Sequence, residues 1–215
     1  KKDVVKVKSM TAREEDILSS PALLKDGSVI THLINACVLE RGIDSENMLV
    51  GDRNALMVAI RVTGYGPSYP IKSSCENCNQ TNKVTINLTD LPLKRLSIDP
   101  IEPGKNIFAF KLPVTKKVVH FKFLTARDEK ERDARAEAYK RLGAKKIEDL
   151  VTGRLEYAIC SIDGKTDKNK IHHFVQNMPA FDSKALRNYM KNHEPGIEMG
   201  CSYTCSNCNH QNDIV

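Results

Sequence analysis

Four of the seven cysteines in the 215-residue chain stand in two Cys-x-x-Cys pairs, Cys75/Cys78 and Cys205/Cys208. Two thiolates two residues apart in a tight turn both reach one tetrahedral ion, while backbone amides of the turn point at the sulfurs and spread their charge. Each pair supplies half a site, so together Cys75, Cys78, Cys205 and Cys208 predict one structural zinc ion. Disulfides within each pair, an iron–sulfur cluster and unliganded thiols are the alternatives. A redox dithiol normally opens a helix after a strand, and neither pair is followed by a helical pattern. Four thiolates leave no coordination position for water, which sets the metal's expected role as structural. In an ordinary zinc ribbon the pairs lie roughly 15–20 residues apart. Here 126 residues separate Cys78 from Cys205, so tertiary structure has to assemble the site. Cys201 is expected as a small packed hydrophobe, and His210 beside the ligands or exposed.

The elements that must carry these cysteines can be read outward from them. Val4 to Val7 alternates β-branched residues with lysine and predicts a strand. Thr11 followed three residues later by Glu14 predicts a capping box and a helix start. Val29, Leu33, Ala36 and Cys37 recur at helical spacing before Gly42. Asp52 is expected to cap a third helix carrying Leu56, Ala59 and Ile60 up to Gly64. Tyr69 to Ser74 and Lys83 to Leu88 then flank the first cysteine pair as a hairpin with the cysteines at its tip. Residues 91–106, rich in proline and turn formers, predict a connector. Beyond it Ile107 to Leu112 and Val118 to Phe123 form a second strand pair, leading into Thr125-Ala126-Arg127-Asp128-Glu129.

That last segment repeats Thr11-Ala12-Arg13-Glu14-Glu15 nearly position for position. A second repeat is more extensive: Asp52, Ala55, Leu56, Cys75, Cys78 and Asn82 recur 130 positions later as Asp182, Ala185, Leu186, Cys205, Cys208 and Asn212. The expected fold is therefore α+β with two pseudo-repeated halves, each a strand, short helices and a β-hairpin bearing a cysteine knuckle. The predicted division is 1–90 for the first half, 91–106 for the connector and 107–215 for the diverged second half. A split, zinc-ribbon-like site joins them, with equivalent hairpins meeting tip to tip around the ion.

Other chemistry is sparse. The six histidines, His32, His120, His172, His173, His193 and His210, fall in no His-x-x-x-His or Ser/His/Asp arrangement. Gly64-Tyr65-Gly66 precedes a proline and a strand, which marks a turn and not a phosphate loop, and His172-His173 is expected as solvated surface on a lysine-rich loop. Arg127 to Arg141 alternates charge sign, the pattern of an exposed helix laced with i,i+4 pairs. Lys94-Arg95, Lys116-Lys117 and Lys165 to Lys170 are assigned to loops. These basic residues lack interleaved aromatics, with tryptophan absent and aromatics at 6%, so nucleic acid is disfavoured as a partner. With 40% hydrophobic and 28% charged residues and a net charge of +6, the composition is that of a globular chain. No apolar run approaches the roughly 18 residues of a membrane span, and Lys1 to Lys8 lacks the apolar core of a signal peptide. An odd cysteine count with Cys37, Cys160 and Cys201 scattered fits a reducing compartment with a metal site. The reading is of a protein that is no enzyme.

Met10-Thr11-Ala12-Arg13-Glu14-Glu15-Asp16-Ile17-Leu18 with Ser20-Pro21-Ala22-Leu23-Leu24, then Val50-Gly51-Asp52-Arg53-Asn54-Ala55-Leu56 and Gly64-Tyr65-Gly66 ahead of a Cys-x-x-Cys, resemble the baseplate hub and hub-assembly protein family of T-even-type contractile-tailed bacteriophages. The resemblance is strongest over residues 4 to 90 and returns at the second cysteine pair, while 91 to 180 matches no named family. It implies a non-enzymatic virion or assembly component working through contacts with other baseplate and tail proteins. It places the protein in the tail baseplate and, during assembly, in the host cytoplasm. A zinc-ribbon nucleic-acid-binding protein is the competing expectation, and it would need a continuous basic face on the hairpins.

Overall fold

The computed structural model of the chain describes residues 4–141 and 150–214. The fold is α+β, and the chain divides into two compact units that interleave in sequence. One is drawn from Lys2–Ser45, Gly51–Lys94 and Gly196–Val215, the other from Glu46–Val50 and Arg95–Pro195. The boundaries read from sequence, 1–90, 91–106 and 107–215, follow the chain's length instead. Both cysteine knuckles fall in the first unit.

That knuckle unit begins with helices α1 (Ala12–Ser19), α2 (Pro21–Lys25) and α3 (Val29–Cys37). The Thr11 amide and hydroxyl both donate to Glu14 Oε2, at 2.9 and 2.7 Å, and Lys8 Nζ donates to Oε1 at 2.8 Å. The start of α1 is thereby fixed, and the Glu14 carboxylate can be buried at 1% exposure because each oxygen has a donor. The strand expected at Val4 to Val7 reduces to a single bridge, Val7 to Val38. The Lys6 amide turns to the Glu40 carboxylate at 2.8 Å and does not extend a ladder. Helix α4 (Val50–Tyr65) starts two residues before Asp52, which lies in its first turn and is not its cap. Leu33, Ile34 and Cys37 of α3 and Val58 and Ile60 of α4 are buried.

Two hairpins follow from this frame. Strands β1 (Ser68–Ser74) and β2 (Thr81–Asn87) pair antiparallel over seven residues each. Within the expected connector, β3 (Leu93–Lys94) pairs with β7 (Gly196–Ile197), immediately ahead of the second hairpin. A Cβ on Gly196 would lie 2.8 Å from the Gly51 Cα, so only glycine permits this approach of two backbones. The second hairpin is β8 (Cys201–Thr204) with β9 (Gln211–Ile214).

The other unit is built on an antiparallel sheet ordered β4 (Phe108–Lys111), β5 (Val118–Phe121), β6 (Ile159–Ile162). Its helices are α5 (Ala126–Arg141), α6 (Thr152–Ala158), α7 (Lys168–Gln176) and α8 (Ala180–His193). Phe108, Phe121 and Phe123 pack with ring centroids 4.9 to 5.7 Å apart, and Leu112, Val119, Leu155 and Leu186 are buried around them. Thr125 and Asp128 repeat the α1 device: the Thr125 amide and hydroxyl donate to Asp128 Oδ2, and Lys122 Nζ donates to Oδ1 at 2.6 Å. Asp182, by register the counterpart of Asp52, is fully buried and accepts N–H bonds from Val114 and Thr115 at 2.7 and 3.0 Å. It holds the β4–β5 turn. The tail of α5 is exposed from Asp133 to Ala138, with Arg141 to Glu137 as an i,i+4 pair, as the charge alternation predicts. The side chain of Lys140 lies outside the described residues.

Two expectations are corrected in this unit. His172 and His173 stand on a helix, not a loop, and so do Lys168 and Lys170, because the Asp167 carboxylate accepts the Asn169 and Lys170 amides and caps α7. Among the described residues no helix is long and apolar enough to cross a membrane.

Candidate metal centre

Each Cys-x-x-Cys occupies the turn of its hairpin, and the two turns have the same construction. In the first, the Cys75 amide donates to the Gln80 carbonyl at 3.0 Å and the Asn79 amide to the Cys75 carbonyl at 2.9 Å. In the second, Cys205 donates to His210 at 2.9 Å and Asn209 to Cys205 at 3.0 Å. Each turn closes through an asparagine in the left-handed region, Asn79 at φ 56° and Asn209 at φ 57°, a conformation asparagine tolerates better than other residues with a side chain. Cys75 and Cys205 are buried, Cys78 and Cys208 half-buried.

The structure brings all four predicted ligands together: their sulfurs lie within 4.8 Å of one another. Two close contacts run between the hairpins, Cys75 to Cys208 at 3.6 Å and Cys78 to Cys205 at 3.7 Å. A tetrahedral ion with metal–sulfur bonds of about 2.3 Å sets its sulfurs about 3.8 Å apart, so the cluster has the size such an ion requires. Four soft sulfur donors and no carboxylate in the group suit zinc or a comparably thiophilic metal.

Electrostatics point the same way. Amide N–H groups of Cys208 and Asn207 hold the Cys205 thiol down to about 6. Burial opposes ionisation of Cys75, yet the amides of Cys78 and Asn77 and the bonds from Cys208 and Asn212 outweigh it and lower its pKa. Cys208 moves in the opposite direction. It accepts from the His210 amide and from Asn77, but burial and the neighbouring Cys78 and Cys75 sulfurs push it up to about 11. Four thiolates at this spacing repel one another, and a bound cation is what lets all of them ionise.

The remaining expected residues sit apart from the four sulfurs or only at their edge. The His210 side chain is exposed, and its backbone carbonyl accepts from Cys205 and from Asn212 Nδ2. Cys201 is half-buried in β8 with its sulfur 3.5 Å from the Met199 carbonyl. Cys37 is buried in α3, where burial raises its pKa. In the sequence Asn82 and Asn212 stand out only as register marks of the repeat. Both are buried, at 6% and 3% exposure, and both donate to cysteine sulfur. The available signal was asparagine, a poor strand former, recurring at the same place after each knuckle.

A separate cavity of about 770 Å³ opens in the sheet unit, lined by Lys122, Asp128, Arg135, Glu156, Cys160 and His172 among others. Several of its polar side chains bond one another: Lys122 to Asp128 at 2.6 Å, and both Arg135 and His172 to Glu156 at 3.4 and 2.7 Å. Burial pushes the Cys160 thiol up, which keeps it protonated and a poor nucleophile.

Comparison with known proteins adds one finding. A family model described as "T4 bacteriophage base plate protein" matches residues 1–215. No curated protein and no solved structure matches the chain.

Proposed function

Since the chain belongs to the T4 bacteriophage base plate protein family, we propose that it is a non-enzymatic component of a phage tail baseplate hub, acting through contacts with other tail proteins as a subunit or in hub assembly. The observation that carries this reading is the family match over residues 1–215, which takes in both cysteine pairs and both compact units. Baseplate membership puts the site of action in the virion tail, and assembly adds a stage in the host cytoplasm.

Within that role Cys75, Cys78, Cys205 and Cys208 hold one structural zinc ion. The sulfur spacing and the all-thiolate donor set support this, and a saturated tetrahedral ion has a folding role and no substrate position. The halves 1–90 and 107–215, joined through 91–106, are diverged copies of one module. Support comes from the paired lysine–threonine–acid devices at Glu14 and Asp128 and from two knuckles of identical hydrogen-bond construction.

The test is recovery of the affinity-tagged full chain from infected cells and from purified virions, with mass spectrometry of the chains that accompany it. Recovery in virions with other tail proteins supports the subunit role. Recovery with tail proteins in lysates but never in virions supports the assembly role. A chain that co-purifies with no tail protein in either fraction refutes the proposal.

A further inference from the structure

Asn82 and Asn212 stand on the outgoing strand of each knuckle, and each turns its side chain away from its own cysteines. Asn82 Nδ2 donates to the sulfur of Cys205 at 3.5 Å and to the Gln80 carbonyl at 2.9 Å. Its Oδ1 accepts the Ser206 amide at 3.0 Å and the Ser206 hydroxyl at 2.9 Å. Asn212 mirrors this: Nδ2 donates to the Cys75 sulfur at 3.6 Å and to the His210 carbonyl at 3.0 Å, while Oδ1 accepts the Glu76 amide at 2.9 Å. The amide orientations are fixed by chemistry, since only oxygen can accept the Ser206 and Glu76 backbone N–H groups. Both side chains are almost fully buried, so water does not replace these bonds at low cost.

We propose that Asn82 and Asn212 are reciprocal positioning residues, each seating the first cysteine of the other knuckle and completing its donor set. This rests on the zinc reading above. A zinc ion with four thiolates carries net negative charge, and N–H donors to sulfur disperse it, which slows loss of metal and lowers sulfur nucleophilicity. The backbone of each turn supplies donors to its own sulfurs, but the side-chain donors to Cys75 and Cys205 come from across the site. Neither half-site is therefore complete alone. Docking of the hairpins and retention of the ion become one event, and a hairpin carrying its two cysteines in isolation holds metal poorly.

The experiment compares the zinc-loaded full chain with Asn82→Asp and Asn212→Asp. Aspartate keeps the oxygen that accepts from Ser206 or Glu76 but replaces the donor with a carboxylate oxygen facing the thiolate. Zinc affinity is read by chelator competition, and each cysteine's reactivity by alkylation and peptide mapping. Each variant is expected to lose affinity by about 10–100-fold. The first sulfur alkylated is expected to be Cys205 in Asn82→Asp and Cys75 in Asn212→Asp, the cysteine across the site from each substitution. If an aspartate variant fails to fold by circular dichroism, the alanine variant at the same position removes the donor without adding charge, and the same two readouts apply. Unchanged affinity in variants that bind zinc, or alkylation that starts at the substituted knuckle's own cysteines, overturns the proposal and leaves the zinc reading standing. A wild-type chain that takes up no zinc refutes the zinc reading itself, and this proposal with it.

Discussion

Removing the metal should selectively destabilise the unit that holds both knuckles, by an amount that the topology bounds. Bonds from one ion to Cys78 and Cys205 close a loop of 127 residues. Treated as a cross-link on the unfolded chain, a loop of that length contributes about 5 kcal/mol. If the unit drawn from residues 95–195 stays folded while the knuckle unit opens, only about 26 residues of the loop are freed and the contribution falls to about 3.5 kcal/mol. Both limits are large beside the stability of an ordinary domain. For a unit of this size they correspond to a melting temperature lower by more than about 10 °C. The assay is calorimetry of the full chain under reducing, anaerobic conditions with and without a zinc chelator, together with hydrogen exchange resolved by peptide. Protection should be lost in β1, β2, β8 and β9 and retained in the β4–β5–β6 sheet. Cys78→Ser should reproduce the effect without chelator. Identical melting with and without chelator, or loss of protection spread evenly over both units, would refute the cross-link reasoning.

Three further outcomes follow from individual contacts. The bond from Lys8, followed by those from Thr11, holds the Glu14 carboxyl at about 2, below its ordinary value of 4.5. Its contribution is full above that ordinary value and is lost as pH falls from 4.5 toward 2, so urea midpoints should drop through that window and Glu14→Gln should flatten the drop. Asp182→Ala leaves the Val114 and Thr115 amides without their acceptor, and chemical denaturation should register a loss of about 2–4 kcal/mol. Gly196→Ala forces a Cβ to within 2.8 Å of the Gly51 Cα, and the same measurement should give a loss of about 1–3 kcal/mol.

What could be read from sequence was what local chemistry dictates. Thr11 with Glu14 and Thr125 with Asp128 announced their helix starts because the capping residues stand three apart. The first cysteine hairpin is visible because β-formers flank its tight turn on both sides, and the second follows from the 130-residue register, since its outgoing strand Gln211–Ile214 is poor in β-formers. Helix α6 escaped notice because only Leu155 and Ala158 of its seven residues are buried, too few to set up a period. In α7 only Ile171 and Val175 are buried, and the lysines before Ile171 with the two histidines after it resemble a solvated loop. The interleaved units were hidden for a different reason. The two-residue pairing of β3 with β7 joins positions about a hundred residues apart, and no local pattern encodes it. The same holds at the candidate metal centre, where the four cysteines stand out by spacing alone. The donors from Asn82 and Asn212 reach sulfurs 123 and 137 residues away, a relation that exists only once the hairpins meet.

The proposed zinc site, four sulfurs around one ion in a baseplate protein, is open to direct measurement. Its most direct test is the metal content of the full chain purified anaerobically without added metal, by elemental analysis set against a count of reactive thiols. One zinc per chain is expected, with Cys75, Cys78, Cys205 and Cys208 protected from alkylation until a chelator is added. Less than about half an equivalent of zinc, with all four cysteines alkylated at the rate of free thiols, would contradict it.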